Sequence, residues 1–407
     1  MKTDFSFRFG KSTSRILIRD ELPAIDDLIT LISPEGNEKE KYAVLAVCDS
    51  NTKDLAGRIL SQRKKGAEIP LLVLESGEKT KTWESVETIL LSAGEAGLGR
   101  DGIFIGIGGG VICDLTGFAA SIYMRGARLC LVATTLLGMV DASIGGKTGF
   151  DLSGQKNIAG TFYPAELVYL PLDALDSLPE REWKSGIAEL IKTAVLDSGD
   201  FFELIKKLLN YAQDGQDSIN FRECLGECIS GAIDFKGCIV EADPVETGNK
   251  RLLLNLGHTF GHALETAAGL GSLSHGEAVA WGIARSCELG TALGITPPER
   301  AEEILGLLLL GSYEIRTPYP HKNSAGLTIT ADSIINAMMM DKKQISASLD
   351  GKEPEDPLGK LRFIVPGAES AKTAAAQEFS ITAIEQSRSG KESLLRNILN
   401  GENKLET

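Results

Sequence analysis

Residues 102–114 read GIFIGIGGGVICD, a short apolar run that passes through adjacent glycines into a segment of helical character. Such runs, when they end in glycine, are typical of buried parallel strands followed by a tight turn. Glycines let a main chain approach a phosphate closely, and the N–H groups at a helix start attract anions. The pattern is not the GxGxxG fingerprint, so a tight turn without a ligand stays open as an alternative.

The flanking segments repeat this alternation of strand and helix patterns. Stretches 42–50, 70–78 and 127–137 have the character of further buried strands, and amphipathic stretches separate the first of them. The alternation predicts an open, parallel, Rossmann-like α/β sheet. Polar residues follow two of these strands at their carboxyl ends, where open α/β sheets bind ligands: Asp49, Asn51, Glu78 and Lys81.

The remainder of the chain carries long helical patterns. A chain of 407 residues is too long for one compact core, so two domains are expected. We predict an α/β domain over residues 1–177 and an all-α domain over residues 178–407, which ends in a polar tail with one weak helix. One late extended segment is expected at 360–367, after a charged, Pro- and Gly-bearing loop at 346–359.

Composition restricts the class of protein and its partners. The net charge of −14 and a pI near 5.0 argue against a general binder of nucleic acid or of anionic membranes. Any anion site must therefore be a local basic pocket. The seven cysteines form no CxxC pair, and no signal peptide or membrane span is recognisable. We expect a cytoplasmic protein with reduced thiols.

A basic segment follows the last of the predicted strands. In residues 134–162 an apolar run leads directly into glycines and a polar cluster of Asp141, Lys147, Lys156 and Asn157. Lysines and glycines in a loop between buried elements suggest an anion site, and a solvated loop is the alternative. Arg125 lies in similar apolar surroundings.

Three of the four histidines lie close together in the sequence. His258 and His262, four residues apart, share one face of a predicted helix, but the HExxH pattern is absent because Thr259 occupies its second position. His275 begins another helix, and Glu189 lies on an otherwise apolar helix beside Lys192. The pair is explained equally well by two buried histidines with ordinary hydrogen-bond partners and by a metal site. A Glu–His–His set with an open position would suit catalytic zinc.

Taken together, these motifs resemble those of the 3-dehydroquinate synthase group within the sugar phosphate cyclase family. The matching words are GExxK, GGGVxxDLxGF, YMRG, TTLL with VDxSxGGKT, KN, LPERE with SGxAExIK, LNLGHTFGHA and HGEAVA. The resemblance is continuous from about Asp49 to His275 and weaker to about Pro366. It implies an NAD-binding α/β domain and a helical domain that holds a metal ion.

The resemblance also implies residue roles. Glu189, His258 and His275 become ligands of Zn²⁺ or Co²⁺, and His262 becomes the catalytic histidine. The residues implied to contact substrate and phosphate are Arg125, Lys147, Asn157, Lys192, Lys236, Arg251, Asn255 and Lys342. The residues implied to contact NAD are Asp49, Asn51, Glu78, Lys81, Gly109, Gly110, Asp114, Thr134, Thr135, Asp141, Lys147, Lys156 and Ser177.

The implied activity is the conversion of 3-deoxy-D-arabino-heptulosonate 7-phosphate to 3-dehydroquinate and phosphate. In the family, NAD is reduced and reoxidised within one turnover, around a phosphate elimination and an intramolecular ring closure. Alternatives are a sibling cyclase that makes an amino-dehydroquinate, deoxy-inosose or valiolone product, a metal-dependent polyol dehydrogenase, or a catalytically silent binder of NAD or sugar phosphate. A homodimer is also implied.

Overall fold

The computed structural model describes most of the chain. The charged loop expected at 346–359 lies outside the described residues, and Lys342 is described only as part of a helix backbone. The described residues are 2–33, 42–64, 66, 68–152, 155–197, 199–214, 219–248, 250–269, 271–343, 362–367, 376–380 and 388–402.

The chain divides into two compact units, one formed by Met1–Gly186 with Leu225–Thr247 and the other by Ile187–Cys224 with Gly248–Thr407. Two of the sequence boundaries between these units fall inside helices. The expected domain boundary between residues 177 and 178 stays a prediction.

The first unit contains a seven-stranded sheet in the order β1-β2-β9-β6-β5-β3-β4. Its neighbouring strands run parallel, except that β1 and β2 form an antiparallel pair. The predicted α/β sheet is therefore confirmed. The strands of this unit are β1 (Lys2–Phe9), β2 (Ser12–Arg19), β3 (Val44–Asp49), β4 (Leu71–Leu74), β5 (Ile103–Gly108), β6 (Arg128–Ala133), β7 (Lys147–Leu152), β8 (Gln155–Phe162) and β9 (Leu167–Pro171).

The middle strands of the sheet are buried along their length, which explains why their sequences are almost continuously apolar. The chain passes from β3 to β4 on one side of β3 and then returns to β5 on the other side. The carboxyl ends of β3 and β5 therefore form a topological switch point, where open α/β sheets bind ligands. The helices of this unit are α1 (Ile25–Ile32), α2 (Lys53–Leu60), α3 (Trp83–Glu95) and α4 (Gly110–Ile122).

The segment predicted as a basic loop is a β-hairpin. Strands β7 and β8 pair antiparallel as a separate two-stranded sheet. A Cβ on Gly149 would lie 2.4 Å from the main-chain oxygen of Ala159, so glycine is required where the two strands approach. The prediction of a loop was wrong because the glycines that permit this pairing are also the residues typical of loops.

The second unit is predominantly helical, as predicted. Strand β10 confirms the late extended segment, and β11, which pairs with it, was not predicted. Helices α5 (Glu180–Leu196) and α7 (Ile219–Ala242) cross between the units. The other elements are α6 (Gly199–Asp214), α8 (His258–Ala268), α9 (His275–Ala292), α10 (Pro298–Leu310), α11 (Ala331–Lys343), β10 (Arg362–Pro366), β11 (Ala376–Ser380) and α12 (Arg388–Asn400).

The core of the second unit contains aromatic residues and, on α9, a buried ion pair. The rings of Phe260 and Phe363 are 4.8 Å apart at their centroids. On α9, Arg285 contacts Glu288 at 2.8 Å and also lies over the ring of Trp281. Burial raises the pKa of Glu288 to about 7 against the effect of Arg285. Burial likewise lowers the pKa of Arg285. Desolvation therefore outweighs the attraction within this pair.

Among the helices that the structure describes, none is both long and apolar enough to cross a membrane.

Candidate active site

The turn between β5 and α4 forms a cradle for an anion. Strand β5 ends at Gly108, and α4 begins at Gly110 after the cap residue Gly109. A Cβ on Gly109 would lie 3.0 Å from Cγ2 of Thr135, and one on Gly110 would lie 3.3 Å from Cβ of Ala142. The absence of side chains therefore leaves the N–H groups at the start of α4 open to a ligand. This geometry suits a phosphate group.

Two further polar groups lie at the carboxyl ends of the central strands. Asp49 ends β3, and its Oδ1 accepts hydrogen bonds from the N–H groups of Asn51 and Thr52 at 3.0 and 2.9 Å. Thr134 follows β6, and its buried hydroxyl has no hydrogen-bond partner among the described residues. A polar ligand at this edge would supply the missing partner, so the edge fits a nucleotide.

A polar cluster around the buried Lys81 joins the segment after β4 to α4 and the hairpin. Nζ of Lys81 lies 2.5 Å from Oδ2 of Asp114 and also contacts Oδ1 of Asn157. Burial raises the pKa of Asp114 to about 6, although Lys81 acts in the opposite direction. Burial lowers the pKa of Lys81, but Asp114 and Glu78 outweigh it and the net shift is upward. Lys81 therefore stays cationic at neutral pH.

The hairpin adds more polar groups to this edge. Nζ of Lys156 lies 3.9 Å from a carboxylate oxygen of Glu78. Asp151, which was not predicted as a site residue, accepts a hydrogen bond from the N–H of Asn157 at 2.8 Å. Asn157 has a φ of 57°, a left-handed conformation that asparagine tolerates better than most residues. The structure thus brings together residues predicted for NAD and for substrate.

Two lysines predicted to contact substrate lie against carboxylates within the first unit. Nζ of Lys147 is 2.7 Å from a carboxylate oxygen of Glu246. Nζ of Lys236, on α7, donates to the main-chain oxygen and to Oδ1 of Asp141 at 2.6 and 2.7 Å. Glu246 was missed in the sequence, where the only available signal was its position shortly before Arg251. Both lysines are held by an acceptor that an anionic substrate would replace or share.

Two predicted site residues lie at exposed positions of the same unit. Arg125 ends the short helical turn that follows α4 and has a φ of 69°. Ser177 ends the 3₁₀ helix Leu172–Ser177. Neither is part of the clusters described above, and their implied roles stay predictions.

In the second unit, three helices bring potential metal ligands together. Glu189 lies on α5, His258 begins α8 and His275 begins α9. A Cβ on Gly257, whose φ is 78°, would lie 2.8 Å from the main-chain oxygen of Val279, and one on Gly261 would lie 2.9 Å from that of Ala278. The two histidine-bearing helices can therefore approach closely only because these positions are glycine.

The donor atoms of Glu189, His258 and His275 lie within 4.8 Å of one another. Nε2 of His275 and Nε2 of His258 are 3.5 and 3.9 Å from Oε1 of Glu189. Nδ1 of His258 lies 3.1 Å from the main-chain oxygen of Leu256. If that nitrogen carries the proton, Nε2 is left as a lone-pair donor. A cluster of two imidazoles and one carboxylate fits zinc or cobalt.

Protonation of the two histidines differs because their neighbours differ. Burial and the nearby Lys192 hold the pKa of His258 well below its usual value. Burial also acts to lower the pKa of His275, but the carboxylates of Glu189 and Glu265, as acceptors for its ring N–H groups, outweigh burial and raise the pKa to about 9. His258 is thus neutral at pH 7, as a metal ligand must be, whereas His275 would release a proton when a metal ion binds.

Other predicted residues surround this cluster. Lys192 is buried and forms an ion pair with Glu189, one helical turn away on α5. Arg251 and Asn255 begin and end the 3₁₀ turn that directly precedes α8, and Arg251 is buried. Lys342 belongs to α11, and its side chain lies outside the described residues.

His262 occupies a different position from the other two histidines. It is exposed, one turn after His258 on α8, and its ring centroid lies 5.2 Å from that of His258 and 6.0 Å from that of His275. Its donor atoms also form a second group with Glu265 and His275 within 4.8 Å. The assignment of His262 to proton transfer rather than to metal binding therefore stays a prediction.

Comparison with known families gives two adjoining matches. Residues 71–185 match the family model for the N-terminal part of 3-dehydroquinate synthase, and residues 186–344 match that for its C-terminal part. A 3-dehydroquinate synthase from Acidithiobacillus ferrooxidans is 40% identical over 272 residues, which are 66% of this chain and 72% of that protein.

Solved structures with a similar fold include two sugar phosphate cyclases. A 2-deoxy-scyllo-inosose synthase complexed with carbaglucose-6-phosphate, NAD⁺ and Co²⁺ has a TM-score of 0.74 at 20% identity and covers 97% of this chain and 99% of its own. The 2-epi-5-epi-valiolone synthase from Streptomyces hygroscopicus, with NAD⁺ and Zn²⁺ bound, has a TM-score of 0.71 at 23% identity and covers 96% and 97%. These likenesses concern the fold.

Proposed function

This chain belongs to the 3-dehydroquinate synthase family, and from that premise we propose that it converts 3-deoxy-D-arabino-heptulosonate 7-phosphate to 3-dehydroquinate and phosphate. The enzyme is then a phosphate-eliminating lyase of the shikimate pathway, which leads to aromatic amino acids. The observation that carries the proposal is the convergence of Glu189, His258 and His275 from three separate helices.

We assign these three residues as the ligands of a divalent metal ion, Zn²⁺ or Co²⁺. Three protein ligands leave a coordination position open for substrate oxygens, as catalytic sites require. When bound, the ion supplies a Lewis acid that polarises those oxygens. Lys192, which is paired with Glu189, adds a fixed positive charge beside the carboxylate.

The glycine turn and the surrounding carboxyl-end residues are assigned to NAD. The start of α4, with Gly109 and Gly110, would hold the diphosphate, and the hydroxyl of Thr134 would gain a partner. When bound, NAD would supply a hydride acceptor that is regenerated within the same turnover. The other residues assigned to this site are Asp49, Asn51, Glu78, Lys81, Asp114, Thr135, Asp141, Lys147, Lys156 and Ser177.

Cationic and amide side chains are assigned to the anionic ends of the substrate. A guanidinium or ammonium group binds phosphate and carboxylate through charge-assisted hydrogen bonds, which explains how a chain of net charge −14 binds an anion. His262 can exchange a proton with the substrate, because imidazole titrates near neutral pH. The substrate residues are Arg125, Lys147, Asn157, Lys192, Lys236, Arg251, Asn255 and Lys342.

The decisive experiment incubates the zinc-loaded protein with NAD and the heptulosonate phosphate. Phosphate and 3-dehydroquinate should form together, without net accumulation of NADH, and Glu189→Ala should form neither. Accumulation of NADH would instead indicate a polyol dehydrogenase. Phosphate release only from glucose 6-phosphate or from a heptulose 7-phosphate without a carboxylate would indicate a sibling cyclase. Binding of NAD without phosphate release from any of these substrates would overturn the proposal in favour of a silent binder.

We further propose that the enzyme is a homodimer that acts in the cytoplasm. The seven cysteines are odd in number and form no CxxC pair, a pattern that suits reduced thiols in a reducing compartment. Light scattering coupled to gel filtration should give twice the chain mass of 43.5 kDa. A single chain mass at micromolar concentration would exclude the dimer.

A further inference from the structure

We propose that Glu265 is a positioning residue of the metal centre: its carboxylate accepts the Nδ1–H of His275 and so presents Nε2 of that ring to the metal ion. The proposal rests on the metal ligands assigned above and goes beyond them, since Glu265 is itself not a ligand. It concerns how the ring of His275 is oriented and how strongly its Nε2 donates an electron pair to the metal ion.

The two ring nitrogens of His275 face two different carboxylates. Nε2 lies 3.5 Å from Oε1 of Glu189, whereas Nδ1 lies 3.7 Å from Oε2 of Glu265. A single imidazole thus lies between the carboxylate of the metal group and a second carboxylate behind it. This is the order of groups in a carboxylate–histidine–metal arrangement, in which the outer carboxylate fixes the tautomer and the orientation of the ring.

Glu265 is placed for this role by its helix. It is seven residues after His258 on α8, a separation of about two turns, so both side chains lie on one face. Glu265 is only 7% exposed, although glutamate is rarely buried without a polar or charged partner. The ring of His275, from the start of α9, supplies such a partner.

The other histidine ligand is held in a different way. Nδ1 of His258 faces the main-chain oxygen of Leu256 at 3.1 Å, a neutral acceptor. A carboxylate attracts the Nδ1 proton more strongly than a carbonyl does, and this makes Nε2 of the same ring a better donor to a metal ion. His275 is therefore the more strongly donating ligand of the two.

A competing explanation is a second metal ion held by His262, Glu265 and His275, whose donor atoms also lie within 4.8 Å of one another. His275 could bind two ions at once only if its ring lost both N–H protons, whereas accepting one of these protons is the ordinary role of an outer carboxylate. The geometry therefore favours a hydrogen-bond acceptor, and the test below separates the two.

The test compares Glu265→Gln, Glu265→Ala, Glu189→Ala and the control Thr266→Ala, which changes the exposed neighbour of Glu265 on the same helix. Zinc affinity is measured by competition with a chelator, and the visible absorption spectrum is recorded at saturating Co²⁺. We expect Glu265→Ala to bind zinc about 10- to 100-fold more weakly than the unmodified protein. The zinc affinity of Glu265→Gln should lie between those of Glu265→Ala and the unmodified protein. The cobalt bands should shift in both, and Thr266→Ala should match the unmodified protein.

A spectral shift at saturation reports on the ligand field, which a purely structural role of Glu265 would not change. Unchanged affinity and spectrum in both Glu265 variants, with metal lost in Glu189→Ala, would overturn the positioning role while leaving the proposed ligands intact. Binding of two ions by the unmodified protein, reduced to one by Glu265→Ala, would overturn it in favour of the second ion. Equal metal binding by Glu189→Ala and the unmodified protein would instead overturn the ligand assignment itself.

Discussion

Lys236 donates hydrogen bonds from Nζ to both the main-chain and the side-chain oxygen of Asp141, at 2.6 and 2.7 Å. The family resemblance implied separate roles for these residues, a substrate contact for the lysine and an NAD contact for the aspartate. Their contact shows that α7 and the helical turn after β6 are linked by a charged pair. A change at either residue should therefore affect the other.

For Asp141→Ala, we expect a loss of about 1–3 kcal/mol in the free energy of unfolding, because a largely buried ammonium group loses its charged acceptor. Urea denaturation measures this loss. The matched control is Glu203→Ala, which removes the partner of the exposed Lys206 and should change stability by less than about 1 kcal/mol. Equal effects of the two substitutions would show that the Lys236 pair contributes no more than a surface contact.

The two histidines of α8 should respond differently to substitution. His258→Ala, on α8, and His275→Ala, on α9, should both lose bound metal, because each removes one of the proposed ligands. His262→Ala should keep its metal and lose about 100-fold or more in turnover, the contribution typical of a general acid or base. Metal content per chain and turnover rate are measured on the same samples. Equal loss of metal in His262→Ala and His275→Ala would contradict this division.

Gly109→Ala should weaken NAD binding about 10- to 100-fold. The added Cβ would lie 3.0 Å from Cγ2 of Thr135, and it would displace a ligand phosphate from the start of α4. Fluorescence titration with NADH measures the affinity. The control is Gly57→Ala on the exposed face of α2, where a Cβ meets nothing within 4 Å. It should leave NAD affinity unchanged and add about 0.5–1 kcal/mol of stability, so a similar loss of affinity there would refute the steric explanation.

The buried pair of Arg285 and Glu288 should make stability depend on pH. The folded-state pKa of Glu288 is raised from 4.5 to about 7, so protonated Glu288 is favoured by folding. Its stabilising contribution is complete below pH 4.5 and is lost as the pH rises through about 7, and the difference corresponds to about 3 kcal/mol. Thermal unfolding of the unmodified protein and of Glu288→Gln between pH 5 and 8 tests this. As the pH rises over this range, Glu288→Gln should lose less stability than the unmodified protein. Parallel plots of stability against pH for the two proteins would contradict the prediction.

The architecture was predictable where burial dictates the sequence. Strands β3, β5 and β6 are covered on both faces, so they had to be apolar along their whole length. Phe5, Phe7 and Phe9 alternate with polar residues along β1, and a period of two is typical of a strand. This pattern was not recognised, so the hairpin of β1 and β2 was not predicted.

The contacts of the site were less predictable than its residue types. Glu189, His258 and His275 were implied as ligands by the resemblance to family motifs, whereas helical spacing alone pairs His258 with His262. The donor atoms of the three implied ligands do lie within 4.8 Å of one another. The pairing of Lys147 with Glu246 was not foreseen, because it depends on the path of the chain around residues distant in sequence. Glu265 had no recognisable signal, since its role depends on which way a ring on another helix faces.

Helix α9 begins with a capping box, in which the hydroxyl of Ser274 accepts the N–H of Glu277 and the Glu277 carboxylate accepts the N–H of Ser274. The first residue inside this cap is His275. The hydrogen bonds that begin the helix therefore also fix the main chain of the proposed ligand, so part of the entropy cost of ordering that residue belongs to folding rather than to metal binding.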